Sequence, residues 1–109
     1  MSKISTHVLD AVLGKPAAGI EIRLDAARGD AWIKAAAGVT DADGRCRDLS
    51  SDSGAGRYRL TFFTGTYLTS NGRTSIYPEI SITFHCDGLE NYHLPLLLSD
   101  NSYTTYRGS

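Results

Sequence analysis

Ile20-Glu21-Ile22-Arg23-Leu24-Asp25 alternates apolar and charged side chains at every step. A period of two belongs to a pleated strand, with Ile20, Ile22 and Leu24 on one face and the charges on the other. Ile80, Ile82 and Phe84 repeat the pattern against Glu79, Ser81, Thr83 and His85. Arg57 to Phe63 and Tyr92 to Leu98 are further strand candidates. Turn chemistry separates these runs at Gly14-Lys15-Pro16, Asp43-Gly44, Asn71-Gly72 and Asp87-Gly88, while Ser50 to Gly56 reads as a looser polar loop. Three consecutive alanines in Trp32 to Ala37 favour helix locally. Gly29 and Gly38 leave too little room for one, so this segment is read as a strand. Thr64 to Arg73 does not alternate; it predicts a short helix capped by its Thr and Ser side chains and ending at Asn71-Gly72. Seven or eight short strands with one short helix make an all-β chain, an antiparallel β-sandwich.

The chain has 109 residues, 41% hydrophobic and 21% charged, ordinary values for a globular protein. No repeat, low-complexity tract or linker divides it, and a single domain over residues 1–109 is expected. That length sustains one core but hardly a deep private pocket. Eleven Lys and Arg against twelve Asp and Glu give a net charge of −1 with no cluster of one sign. Nucleic-acid and membrane-surface binding, which call for a basic face, are therefore not expected. Residues 1–7 lack the apolar stretch of a secretory leader, and Leu94-Pro95-Leu96-Leu97-Leu98 is too short to span a bilayer. Cys46 and Cys86 read as reduced thiols packed as small hydrophobes, in a cytoplasmic protein.

Acid–base work at neutral pH falls first to histidine. His85 alternates with the apolar face of its strand and reads as a solvated residue. His7 and His93 sit among mostly apolar neighbours, which solvation alone explains poorly. Arg45 follows the Asp43-Gly44 turn and projects from a hairpin end; it is either a solvated turn arginine or a fork for a planar, partly anionic ligand. Pro95 lacks a ladder donor, which predicts an edge or bulged strand. Tyr103-Thr104-Thr105-Tyr106-Arg107-Gly108-Ser109 keeps a strand-like pattern where chain ends usually fray, and reads as tied down. No Gly-x-Ser-x-Gly elbow, His-Glu-x-x-His, phosphate loop or dinucleotide fingerprint occurs, so a hydrolytic reaction would use an activated water. His7 and His93 are two potential zinc ligands where a catalytic site typically takes three, and no metal is expected.

Ser5-Thr6-His7-Val8-Leu9-Asp10, Thr40 to Cys46, Tyr77-Pro78-Glu79-Ile80, Tyr92 to Ser99 and the terminal Tyr106-Arg107-Gly108-Ser109 together resemble the transthyretin-like 5-hydroxyisourate hydrolases, in order and over nearly the whole chain. The resemblance implies a transthyretin-like sandwich of about eight strands and one short helix, assembled as a homotetramer with sites between dimers and no cofactor. It implies ring-opening hydrolysis of the small molecule 5-hydroxyisourate to 2-oxo-4-hydroxy-4-carboxy-5-ureidoimidazoline, in urate degradation towards allantoin. His7, Arg45, His93 and Ser109 would be catalytic. Arg45, Tyr106, Arg107 and Gly108 would contact substrate, and which histidine is the base stays open. The Tyr-Arg-Gly-Ser ending separates the hydrolases from the alternative, a transthyretin-type carrier of thyroid hormone; a structural or adhesive sandwich is a third reading. Two departures stand out: Ser99-Asp100-Asn101-Ser102-Tyr103 where the family commonly has a proline and a glycine, and Asn91 where a histidine is frequent.

Overall fold

A computed structural model describes residues 1–109. The chain runs through β1 (Ser2–Asp10), β2 (Lys15–Pro16), β3 (Glu21–Arg28), β4 (Ala31–Val39) and β5 (Arg45–Ser53). It continues through β6 (Gly56–Phe62), α1 (Thr64–Ser70), β7 (Ile80–Cys86), β8 (Tyr92–Leu98) and β9 (Tyr103–Thr105). One sheet has the order β2-β1-β8-β9, with β5 pairing the same edge of β1 as β2; the other has the order β4-β3-β6-β7. Every pairing is antiparallel except β1 with β8, which run parallel. The count is nine strands because the two-residue β2 and three-residue β9 are included.

Alternation does the packing. Ile22 and Leu24 of β3 and Leu60 and Phe62 of β6 face Ile4 and Val8 of β1 and Leu96 and Leu98 of β8 across the space between the sheets. Full burial of each such side chain contributes about 1.5–3 kcal/mol relative to exposure. Trp32 to Ala37 is a strand, paired along its length with β3. Cys46 and Cys86 are free thiols, Cys86 in the core and Cys46 packed against it. No helix is long and apolar enough to cross a membrane.

Three expectations need correction. Strand β5 runs on to Ser53, through what reads as a loop. It pairs only with β1, through two register shifts, so most of its side chains meet solvent and its sequence is polar. The helix has no side-chain cap: Phe63 holds the N-cap position, the Gly65 amide donates to Pro78 O at 3.0 Å, and Thr64 turns inward. A Cβ at Gly65 would lie 2.5 Å from that oxygen, so glycine is required for the approach. The helix does end at Asn71-Gly72. There Arg73 N–H donates to Leu68 O and Gly72 N–H to Thr69 O, with Gly72 at φ +69°, a Schellman ending.

Pro95 is the third. Its strand is interior, between β1 and β9. The absent donor is tolerated because β9 pairs only from Leu96 to Leu98, and the chain returns to β8 at a single bridge between His93 and Gly108. Pro95 falls in the gap, where its carbonyl accepts from the Thr105 hydroxyl at 2.8 Å.

The helix ending aims Arg73 at buried Asp10, which also accepts from Tyr67 Oη at 2.8 Å. Burial pushes the Asp10 carboxyl up, but hydrogen bonds from Arg73, the Leu13 amide and Tyr67 outweigh it and bring the group down to about 2. Burial and the same carboxylate push the Tyr67 phenol up to about 12. Arg73 also reaches Asp100 at 2.7 Å, and the Ile76 amide donates to Asn101 Oδ1 at 2.8 Å. The departing Asp100-Asn101 loop is thus held by this chain's own partners.

Candidate active site

Strand β1 alternates buried and half-buried residues throughout, so Lys3, Ser5, His7 and Leu9 share its outer face. Register brings two further residues onto that face: Arg45 of β5 lies opposite His7, and His93 of β8 opposite Ser5. The buried Thr6 hydroxyl, bonded to Leu94 O at 2.6 Å, adds a side-chain clasp to the β1–β8 register.

The turn before β5 places two groups at once. The Asp41 carboxylate accepts from the Arg45 amide at 3.0 Å and the Asp43 amide at 2.9 Å, bonds that hold its pKa below the usual carboxylate value. This aims Arg45 and leaves Asp43 O to meet His7 Nε2 at 2.9 Å. A carbonyl only accepts, so His7 Nε2 carries the proton and is occupied. His93 is arranged differently. Its Nδ1 lies 2.8 Å from Ser5 Oγ, and its Nε2 makes no hydrogen bond within the chain. Burial, then the positive charges of Arg45 and His7, hold the His93 imidazole below its ordinary value of 6.5. At neutral pH it is uncharged and able to accept a proton.

A cleft of about 270 Å³ opens here. Of the residues anticipated from sequence, Arg45, His93, Gly108 and Ser109 line it. His7 faces an adjoining groove of about 260 Å³ that shares Arg45 as a wall. Asn91, the departure near His93, completes the cleft with Lys3, Ser5 and Arg47, which were not anticipated although the alternation of β1 puts Lys3 and Ser5 beside His7. Asn91 Oδ1 accepts from the Lys3 amide at 3.1 Å. Lys3 is paired with Asp48 at 3.2 Å and Arg47 with Asp41 at 3.0 Å, whereas Arg45 has no ion pair. None of the eight lining residues is hydrophobic. No three His, Cys, Asp or Glu side chains gather as a metal site would need.

The tail closes one wall. Gly108 N–H donates to His93 O at 2.7 Å, and a Cβ at Gly108 would come 2.9 Å from His93 Cδ2 and 3.1 Å from Pro95 Cγ. Glycine lets the tail lie against the imidazole. Tyr106 and Arg107 lie outside the cleft. Tyr106 is exposed, and the Arg107 guanidinium sits 4.4 Å over the Tyr92 ring, with its Nη2 3.3 Å from Asn91 O and 3.5 Å from Glu90.

His93 and an arginine without an ion pair thus share a cleft on the outer face of a two-sheet sandwich, with His7 in the groove on the other side of that arginine. Residues 4–108 match the HIUase/Transthyretin family, and the chain belongs to it. It is 43% identical over 109 residues to the 5-hydroxyisourate hydrolase of Salmonella typhimurium, covering 97% of this chain and 80% of that protein. The structure of Klebsiella pneumoniae 5-hydroxyisourate hydrolase superposes with a TM-score of 0.85 at 38% identity, covering 100% of this chain and 94% of that one. Transthyretin from Sparus aurata superposes with a TM-score of 0.93 at 34% identity, covering 99% and 97%. Backbone shape alone therefore does not separate enzyme from transthyretin; the side chains must.

Proposed function

We propose that the protein hydrolyses 5-hydroxyisourate, with His93 as general base, His7 as orienting acceptor and Arg45 as the group that binds developing negative charge. The observation that carries this reading is Arg45, a guanidinium without an ion pair that walls both the cleft of His93, which no hydrophobic residue lines, and the groove of His7. A carrier for a largely apolar ligand would need an apolar lining.

Opening a cyclic amide by water forms a C–O bond, breaks a ring C–N bond and moves one proton from water to the leaving nitrogen. His93 Nε2 takes that proton as the water adds, and the resulting imidazolium returns it to the nitrogen. Arg45 stabilises the tetrahedral oxyanion, which carries charge the ground-state carbonyl does not. His7, donating through Nε2 to Asp43 O, keeps Nδ1 as an acceptor for water or substrate. Gly108 and Ser109 form the wall beside His93. Arg107 anchors that wall. The working unit in this reading is a homotetramer, in which exposed Val12, Leu13, Tyr103 and Tyr106 would be covered by neighbouring subunits.

The test is a spectrophotometric assay of freshly generated 5-hydroxyisourate. Positioned acid–base catalysis is worth about 10²–10⁴ in rate. His93→Ala and His7→Ala should each lose a factor in that range with unchanged folding, and near-wild-type turnover by either sinks its assigned role.

A further inference from the structure

We propose that Ser5 is a positioning residue for His93: its Oγ accepts the Nδ1 proton, fixing the imidazole in the tautomer whose Nε2 lone pair is free for water. The inference rests on the reading of His93 as base and adds the group that makes it one.

Neutral imidazole carries a single proton, and only one of its two tautomers leaves Nε2 as an acceptor. In His93 the Nδ1 edge is committed to Ser5 Oγ at 2.8 Å, and the Cδ2 edge is confined by the backbone of Gly108. Both edges of the ring thus have a neighbour in the chain. A hydroxyl can donate or accept, so the contact alone leaves the tautomer undecided. The bonding open to each ring edge decides. Nδ1 has Ser5 Oγ as an acceptor at 2.8 Å, whereas Nε2 has no acceptor within the chain. Nδ1–H towards Ser5, with the Nε2 lone pair left free, is the arrangement that gives the ring proton a partner. The Ser5 proton is then free for solvent or substrate, since Oγ has no other bond within the chain.

Ser5 sits on the half-buried outer face of β1, and the buried Ile4 and Thr6 on either side hold the strand. Ser5→Ala should therefore fold. Its effect should be confined to the ring: kcat reduced about tenfold, the equivalent of one hydrogen bond of ~1.4 kcal/mol, with KM little changed. Ser5→Thr retains the oxygen and should restore most of the rate. The discriminating readout is the ¹⁵N signature of His93 in the labelled protein at neutral pH. Nδ1–H is expected in the wild type and in Ser5→Thr, and a mixture or Nε2–H in Ser5→Ala. An Nε2–H tautomer in the wild type overturns the proposal, as does Ser5→Ala with both tautomer and kcat unchanged. If His93→Ala keeps its turnover, the base assignment fails instead. That failure is distinguishable, because the tautomer would still respond to Ser5→Ala.

Discussion

The two sheets carry the same kinds of residues on their outer faces and use them differently. On the four-stranded sheet, Asp25 is buried beneath two arginines: Arg23 Nε donates to one carboxylate oxygen at 2.7 Å and Arg59 Nη2 to the other at 3.1 Å. Trp32 lies against the same group, with Arg59 4.5 Å and Arg57 5.4 Å from its ring centroid. There the Asp25 carboxylate takes both of its neighbouring arginines, although Arg59 Nε stays buried without a partner. On the five-stranded sheet, Arg45 has no ion pair and His93 Nε2 has no partner, although carboxylates stand nearby on Asp41, Asp43 and Asp48. Those acids are engaged by Lys3 and Arg47 instead. What distinguishes the cleft is therefore not an arginine without an ion pair, since Arg57 has none either, but such an arginine sharing a cleft with an imidazole whose Nε2 has no partner.

The sharpest way to break this contrast is to remove the unpaired guanidinium. Arg45→Gln should lower kcat/KM by about 10²–10³, the usual cost of losing one oxyanion donor. It should also raise the His93 pKa. Burial remains as the main depressing influence, so the value should climb towards 6.5 without reaching it. The sign for activity follows: a base with a lowered pKa stays unprotonated further into acid, so the acid limb of the rate profile moves to higher pH in Arg45→Gln. For stability, the unfolded state binds more protons than the native state between the two pKa values, so His93 favours folding more as pH rises through that window. Direct NMR titration of His93 in both proteins checks the shift; an unchanged pKa would remove Arg45 from its surroundings.

The complementary substitution strikes the four-stranded sheet. Breaking a buried ion pair from one side costs about 3–5 kcal/mol. Arg23 and Arg59 are partly exposed and can turn to water, so Asp25→Ala should cost nearer ~2–3 kcal/mol, read from urea unfolding. Turnover per folded molecule should not change. Loss of activity without loss of stability would show the two faces to be coupled.

Much of this division was legible before the fold was known. Period-two alternation identified β3 and β7, and applied to Ser2–Asp10 it sorts Lys3, Ser5 and His7 onto one face. What alternation cannot supply is register. Ser5 matters because it meets a histidine 88 positions away, and that pairing depends on the parallel β1–β8 contact. The rule that places proline at edges failed at Pro95 for a related reason. The rule assumes a ladder on both sides of an interior strand, and here β9 ends one residue short of Pro95. The helix ending was readable from Asn71-Gly72, but its consequence, Arg73 on Asp10, spans 63 positions and was not. His7, Arg45 and His93 were singled out by resemblance and residue chemistry; their pairing states came only with neighbours.

The smallest expected effect bears on Arg107, which resemblance places against substrate and the fold places over Tyr92. An exposed cation–π contact contributes about 0.5–1 kcal/mol, and a surface ion pair such as that with Glu90 about 0–1 kcal/mol. Arg107→Ala should then loosen the tail by ~1 kcal/mol while the Gly108–His93 bridge persists. Exchange of the Gly108 amide should speed up about fivefold, kcat/KM should fall by roughly the same factor, and the global unfolding midpoint should not move. A substrate contact makes the opposite forecast: Gly108 exchange unchanged, and a loss of rate as large as that of Arg45→Gln. The ratio of the two arginine variants therefore measures which guanidinium is spent within the chain and which is kept for the ligand.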